Sequence, residues 1–434
     1  MALREGAASV TQWAIAQRLP RTVLRLAMLR GDPLARLLLQ PDRRQPTSAM
    51  DGIRHRGELV FTSPGLAAAA GHAAANSVLR SDAFGVGGGH GELPPLLRRT
   101  LDRVMRERAR GPIDPPSMLA VDPPQHTRYR KLVSRAFTAR QVRSLEERVT
   151  GTATRLLDEL QAEGVREFDL VTRYASLLPV AVIGDLLGVR EEDQEDLLRW
   201  GDSAALLLDP GLTWRGYRRG ERAVQAMADW FAGHVHRLRA DPGEDLLSRL
   251  AALEGDDALD ELELRAVGLL VLGAGFETTV SLISNAVMLF GRHPRQLETV
   301  REDPALWENA VDEVLRHDSP VQLTLRTAYQ DTVVEGVEIP RGQSVVVLLA
   351  GANRDPAVFD APHVFDVTRK NASEHLAFSA GVHYCLGASL ARLEGAVGLR
   401  LLYERFPGLR PVGRARRRET RVLRGYAHLP VTVT

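Results

Sequence analysis

Apolar positions along this chain recur mostly at spacings of three and four, the period of an amphipathic helix. From Arg140 to Gln161, Val142, Leu145, Val149, Leu156, Leu157 and Leu160 keep that spacing, and Gly164 ends the run. Trp214 to Ala240 reads as a second long helix, closed by Asp241-Pro242-Gly243. Asp260 to Arg292 opens on acidic residues that suit a helix N-terminus and closes at Gly291 and Pro294. Asp303-Pro304 predicts a further helix to about Arg316, with proline at the first helical position behind an aspartate cap. Strands are fewer. Glu58–Thr62 is one. Short β-prone runs between Thr324 and Leu349 are punctuated by Glu335-Gly336 and Pro340-Arg341-Gly342, and Leu429–Thr434 is another. Many helices with a minor sheet in separate places predict a mainly α, α+β fold. No repeat or low-complexity linker divides the chain. The expected organisation is an N-terminal helical extension over 1–45 and a single domain over 46–434.

Two apolar segments raise the question of a membrane. Ala266 to Gly291 is long enough to span a bilayer, but it carries Glu277 at its middle. A core helix of a large protein fits it better. Near the N-terminus, the longest uncharged stretch, Gly6–Gln17, contains Ser, Thr and two Gln, unlike a secretory signal. Arg18, Arg21, Arg25, Arg30 and Arg36 then alternate with Leu and Met. This reads as a partly exposed amphipathic helix, and a basic helix of that kind also suits a membrane surface.

Composition narrows the function. With 44% apolar residues in 434, the chain can bury a large core. Lys plus Arg number 56 against 55 Asp plus Glu, which argues against a general nucleic-acid binder. A single cysteine excludes an internal disulfide and points to the cytoplasm.

That cysteine lies in Phe378-Ser379-Ala380-Gly381-Val382-His383-Tyr384-Cys385-Leu386-Gly387, just before a helical run from Ala388 to Tyr403. A lone cysteine is ordinarily a buried, inert small hydrophobe. Here the helix N-terminus is expected to lower its pKa. Gly381 and Gly387 allow a tight turn and close approach to a flat ligand, and His383 can donate to an anionic group.

The segment resembles the haem-ligand signature of cytochromes P450, Phe-x-x-Gly-x-(Arg or His)-x-Cys-x-Gly. The resemblance covers nearly the whole chain. Glu313-Val314-Leu315-Arg316 is similar to the family's Glu-x-x-Arg motif, a pair on one helical face that holds the haem loop. Ala274-Gly275-Phe276-Glu277-Thr278-Thr279 resembles the oxygen-binding stretch of the long I helix. There Gly275 is expected to leave room for dioxygen, Thr278 to steady the oxygen species and Glu277 to deliver protons. Asp122 to Arg130 resembles the C-helix segment. His126 and Arg130, four apart, would reach the haem propionates together with Arg326 and His383, and with His375 less surely. The family fold would place haem b (iron protoporphyrin IX) between the I helix and the Cys385 loop with its L helix.

Three features depart from the family. Ser379 stands where glycine is usual, so that turn must tolerate a Cβ. Val364 replaces a common arginine, which leaves His363 or Arg369 as third partner to Glu313 and Arg316. The N-terminal extension is longer than in many bacterial members.

The resemblance implies a mono-oxygenase using dioxygen and an apolar organic substrate, with electrons from a ferredoxin and an NAD(P)H-ferredoxin reductase. Arg128, Arg130, Lys131, Arg135, Arg140 and Arg143 form the expected basic patch for the electron donor. The pocket is expected from parts of Ser81–Leu119, Trp200–Trp214, Leu269–Ala274, Val321–Leu325 and the neighbourhood of Leu423, with Gln322 and Thr324 as polar anchors. Such a pocket fits lipid, polyketide, terpenoid or macrolide-like molecules. The whole chain is closest to an actinobacterial branch with mycobacterial members, which suggests secondary or lipid metabolism. Hydroxylation is the expected reaction, with epoxidation or C–C or C–O coupling as alternatives. A haem sensor or carrier would not need Gly275, Glu277 and Thr278. A Cys-His hydrolase would need a base oriented by a third group.

Overall fold

The computed structural model describes residues 9–40, 46–62, 65–87, 111–137, 141, 145–255 and 258–434. Its principal helices are α1 (Leu19–Leu29), α2 (Pro33–Leu39), α3 (His72–Arg80), α4 (Gln125–Ser134), α5 (Glu146–Ala162), α6 (Leu177–Leu186), α7 (Gln194–Ala204), α8 (Trp214–Ala240), α9 (Glu261–Arg292), α10 (Trp307–His317) and α11 (Ala388–Arg405).

The longest, α9, forms because Asp260 caps it. Its carboxylate accepts from the Glu263 N–H at 2.7 Å, and the Glu263 side chain accepts from the Asp260 N–H at 3.1 Å. It is a core helix: 72% of its most apolar window is buried in protein. Its first half packs with α4, α6 and α8 through Val267, Leu272 and Phe276. Its second half packs with α5, α10 and α11 through Val280, Ile283, Ala286 and Phe290. The helix therefore joins the two main cores.

A five-stranded sheet, β1 (Leu59–Phe61), β2 (Leu66–Ala69), β3 (Phe84–Gly85), β4 (Thr324–Ala328) and β5 (Ser344–Val347), runs in the order β1-β2-β5-β4-β3. Only the β2–β5 pairing is parallel, with Leu66 opposite Ser344. Residue alternation splits the sheet between two cores. Ala67, Ala69, Val345 and Val347 face one, while Ala68, Ala70, Val346 and Leu348 face the other. The second face is covered by Leu24, Ala27, Leu34, Ala35, Leu37 and Leu38 of α1 and α2. The N-terminal helical segment thus shares a core with the sheet.

Differences from the sequence pattern are local. α5 starts at Glu146, and residues 142–144 of the expected run lie outside the described residues. Asp303-Pro304 opens a single 3-10 turn before α10 begins at Trp307. The strand Leu66–Ala69 was not expected. Alanine is a poor strand former, and pairing on both sides imposes the conformation.

Candidate functional site

Cys385 lies in a loop held by its own backbone. Its N–H donates to Phe378 O at 2.9 Å, Tyr384 N–H donates to Gly381 O at 3.0 Å, and α11 begins at Ala388. Gly381 has φ +67°, and a Cβ there would fall 2.2 Å from the Leu79 carbonyl oxygen. Close packing on the end of α3 therefore requires a glycine there. Gly387 has an ordinary φ, and a Cβ there would meet open space. Ser379 has φ +61°, so the turn does hold a side chain in the left-handed region, and its buried hydroxyl lacks a partner among the described residues. Phe378 is buried beside the cysteine, with the Arg392 guanidinium 4.7 Å from its ring centre.

The cysteine does not gain the low pKa expected of a helix N-terminus. Burial pushes the thiol up, against the Gly387 N–H, Arg130 and Arg392, which pull it down. Its thiolate therefore needs a further positive charge.

Four of the predicted basic residues do converge, around a carboxylate that the sequence reading left without a role. Asp122 accepts from Tyr329 Oη at 2.5 Å, Gly87 N at 3.0 Å, Val86 N at 3.1 Å and His383 Nε2 at 3.2 Å. Burial would raise Asp122, but these donors hold it below the ordinary range. The His126 and His383 ring centres are 4.4 Å apart. Burial, with His383 and Arg130 nearby, lowers His126 to about 4. Burial also lowers Arg130 and Arg326, the latter partly compensated by Asp122. Arg326 Nη1 donates to Thr324 Oγ1 and Leu325 O at 3.1 and 2.8 Å. Two guanidinium groups, Arg130 and Arg326, thus share one carboxylate, with two histidines beside them, which suits a ligand with acidic groups.

His375 does not join it. Its Nε2 pairs with Asp312 Oδ1 at 3.2 Å, and its Nδ1 accepts from the Ala377 N–H at 3.2 Å. Both ring nitrogens are used, so it braces α10 instead.

Mid-way along α9, Ala274 is exposed and Leu270, Gly273, Gly275 and Thr278 are half-buried on a helix otherwise enclosed. A Cβ on Gly273 would meet nothing within 4 Å, so this stripe borders a cleft. Gly275 also serves packing: a Cβ there would lie 2.9 Å from Ile183 Cγ1, so it lets α6 pack closely. Thr278 Oγ1 donates to Ala274 O at 2.9 Å. Leu386, next to Cys385, packs against the core that includes Leu269, Leu272 and Phe276, which brings the cysteine loop to the same region of α9.

Glu277 is buried and paired with Arg418 Nη1 at 2.6 Å. Arg418 Nη1 also reaches Asp202 Oδ1 at 2.9 Å, and the Asp202 side chain is 45% exposed, so the chain of charges ends in water. Burial dominates and lifts Glu277 to about 7, with Arg418 opposing and Asp202 assisting. Behind it, Thr279 Oγ1 donates to Gly275 O at 3.1 Å and contacts Glu394 of α11. Burial lifts Glu394 to about 8, with the Thr279 contact opposing, so it keeps its proton at neutral pH. Arg418, Asp202 and Glu394 escaped sequence reasoning. Arg418 lies in the run Arg414–Arg418, which looks like any solvated basic stretch, whereas Glu394, flanked by Leu393 and Gly395, offered a faint signal.

Glu313 and Arg316 form a fully buried bidentate pair at 2.7 and 2.8 Å. Arg316 also donates to the carbonyls of Asn353, Pro362 and Val364. The third partner is Arg369, whose Nε lies 3.2 Å from Glu313 Oε2. His363 faces Asp51 instead, at 3.6 Å.

Within the expected basic patch, Arg128 is bound to Glu263 at 2.9 Å and also donates to the Ala258 carbonyl, Arg130 is half-buried, and Lys131 is exposed. The Arg135 side chain, Arg140 and Arg143 lie outside the described residues. So do 88–110 of the expected pocket. Val321 and Leu423 bridge at its other side, and Leu325 is 49% exposed. Gln322 is buried and its Nε2 donates to Ser319 O at 2.6 Å, while its Oε1 has no partner among the described residues; Thr324 accepts from Arg326.

Comparison with known proteins gives a consistent result. Residues 98–414 match the family described as Cytochrome P450. A protein named putative cytochrome P450 140, from Mycobacterium tuberculosis, is 47% identical over 426 residues, covering 97% of each chain. The 6-deoxyerythronolide B hydroxylase of Saccharopolyspora erythraea is 44% identical over 315 residues, covering 71% of this chain and 76% of the relative. The ligand-free crystal structure of CYP164A2 from Mycobacterium smegmatis superposes with a TM-score of 0.82 at 35% identity, covering 92% of this chain and 99% of the other.

Proposed function

The chain belongs to the cytochrome P450 family, an oxidoreductase family of mono-oxygenases whose cofactor is thiolate-ligated haem b, and from that premise we propose that it hydroxylates an apolar small molecule, with Cys385 as the iron ligand. The observation that carries this reading is that two guanidinium groups, buried Arg326 and half-buried Arg130, gather with His126 and His383 around the one carboxylate of Asp122, near the only cysteine. A flat ligand bearing two acids and a metal answers both this cluster and the thiol, which burial would otherwise keep protonated. When bound, haem b supplies the activation of dioxygen, and a thiolate ligand favours O–O cleavage.

The remaining work falls to side chains. Phe378 is buried and carries the carbonyl that accepts from the Cys385 N–H, which fixes the loop. Ala274, Gly273 and Leu270 offer the substrate an apolar wall without hydrogen-bond donors. The Thr278 hydroxyl commits its proton to Ala274 O and keeps lone pairs to accept another. Glu277, with a pKa about 7, holds a proton near working pH, and Arg418 and Asp202 connect it to solvent. Glu313, Arg316 and Arg369 fasten the segment 353–366 that leads into the cysteine loop.

The proposed electron donors are a ferredoxin and an NAD(P)H-ferredoxin reductase, acting in the cytoplasm. The proposed substrate class is a lipid, polyketide, terpenoid or similar molecule, supported by the apolar stripe and by one relative's name as a 6-deoxyerythronolide B hydroxylase. A hydrolase reading has no support, because the groups that act on the thiol are the Gly387 N–H, Arg130 and Arg392, with no histidine base among them.

Two spectra test the proposal. The reduced carbon-monoxide complex of the wild type is expected to show the red-shifted band of thiolate ligation, and Cys385→Ser is expected to abolish it. A Cys385→Ser protein that kept the band would end the assignment. Titration with apolar compounds, read as a spin-state shift of the haem, identifies the substrate class. Charged polar compounds alone producing the shift would refute an apolar pocket.

A further inference from the structure

The outward face of α1 is apolar. Leu19, Val23, Leu26 and Leu29 are 61, 42, 54 and 79% exposed, and their spacing of four, three and three puts them on one side of the helix. The opposite side, Leu24 and Ala27, is already buried against the sheet. A surface helix of a soluble protein normally turns polar residues outward. Here the outward row is flanked by exposed Arg18, Arg25 and Arg30, none of which is in an ion pair among the described residues. No acidic residue occurs from Gly6 to Gly31. Arg21 turns inward, against Gly211 and towards Arg421.

We propose that this face of α1 is a docking surface for a bilayer rich in anionic lipid. The helix would lie in the interface plane, with Leu19, Val23, Leu26 and Leu29 in the acyl boundary and the three arginines reaching the phosphates. Charge complementarity favours that occupant: basic groups border the apolar row and no carboxylate pairs with them among the described residues. The face is a convex helix side without an aromatic anchor or a groove, unlike the centre of a protein interface.

The placement gives docking a consequence. Trp13 Nε1 donates to Leu212 O at 3.0 Å, Gln17 Oε1 accepts from Leu212 N at 2.9 Å, and the Trp13 and Trp214 rings meet edge to face at 5.7 Å. The helix is thus seated on the connection between α7 and α8, and a docked protein presents that connection to the lipid surface. The benefit of that position rests on the apolar-substrate reading above, whereas the docking itself does not.

The test is vesicle sedimentation of the full-length, haem-loaded protein. It is expected to sediment with vesicles of equal phosphatidylcholine and phosphatidylglycerol, to stay in solution with phosphatidylcholine alone, and to be released by salt. Leu26→Glu combined with Leu29→Glu, and separately Arg18→Glu combined with Arg25→Glu, are each expected to reduce partitioning about tenfold or more while leaving the carbon-monoxide spectrum unchanged. Wild type remaining in the supernatant, or variants that partition like wild type, would overturn the proposal. So would a lipid-free dimer that the leucine variant dissociates, or lipid-free reduction by ferredoxin slowed in that variant, since either assigns the face to a protein partner. Loss of catalysis with vesicle binding intact would count against the apolar-substrate reading alone.

Discussion

Two buried glutamates, Glu277 on α9 and Glu313 on α10, each face arginine, and they are built for opposite ends. Glu313 receives two bonds from Arg316, one from the Asp366 N–H, and the charge of Arg369. Arg316 in turn spends its remaining donors on three carbonyls. The Glu313 carboxylate thus receives directed hydrogen bonds at both oxygens and every Arg316 nitrogen donates, so the pair acts as a fixed joint. Glu277 has one close cation, Arg418, which it shares with the half-exposed Asp202, and the pairing oxygen receives no well-directed hydrogen bond. Its desolvation is not repaid, and its pKa rises to about 7. The number of bonds a buried carboxylate receives, not the presence of an arginine, separates a structural group from a proton carrier.

The comparison breaks first at Glu313. Glu313→Gln leaves Arg316 and Arg369 buried without their carboxylate. It is expected to cost about 3–5 kcal/mol, read as a lower urea midpoint and as loss of retained haem. A wild-type midpoint would show that the carbonyls alone hold Arg316.

Glu277→Gln is expected to slow turnover about a hundredfold while leaving the protein folded. Its stability has a definite sign. The folded pKa lies above the unfolded 4.5, so the favourable contribution is complete below about 4.5 and is lost as pH rises through about 7. The variant is therefore expected to melt no lower than wild type at pH 8. Equal turnover by the two proteins would remove Glu277 from proton delivery.

Glu394 sharpens the same rule. Its contact with Thr279 does not offset its burial, and its pKa stands at about 8. Wild-type stability is expected to fall between about pH 4.5 and 8, and Glu394→Gln to flatten that slope by several kcal/mol across the window. Thermal melts at four or five pH values measure it, and parallel curves would refute it.

The smallest effect concerns the cysteine loop. Ser379→Gly relieves a left-handed serine and a buried hydroxyl without a partner. It is expected to stabilise the protein by about 1 kcal/mol, with an unchanged carbon-monoxide spectrum. A lower melting temperature would mean that the hydroxyl has a partner in solution.

Much of the site was legible in the chain because it is local. The Cys385 loop, the Glu313–Arg316 pair at i, i+3, and the stretch from Ala274 to Thr279 are short motifs whose geometry follows from a turn or a helix. Reasons attached to single residues fared less well. Gly275 and Gly381 were read as making room for ligands, and the fold adds a second requirement that spacing could not show, contact with Ile183 and with the Leu79 carbonyl on distant segments. His375 matched a pattern near the acid-binding cluster, yet Asp312 claims it.

The sequence by itself determined the helical architecture, the cysteine, and the residue types that surround it. Those follow from spacing along one helix or within one loop, where backbone geometry leaves little freedom. Tertiary structure decided which partner each charge meets: Arg418 for Glu277, Arg369 for Glu313, Asp122 for His383, Glu394 for Thr279. These pairs span up to 261 positions, and arginines abound, so chain order cannot choose among them. Packing chooses, because only a folded core sets which charges lose their water together and must then answer one another.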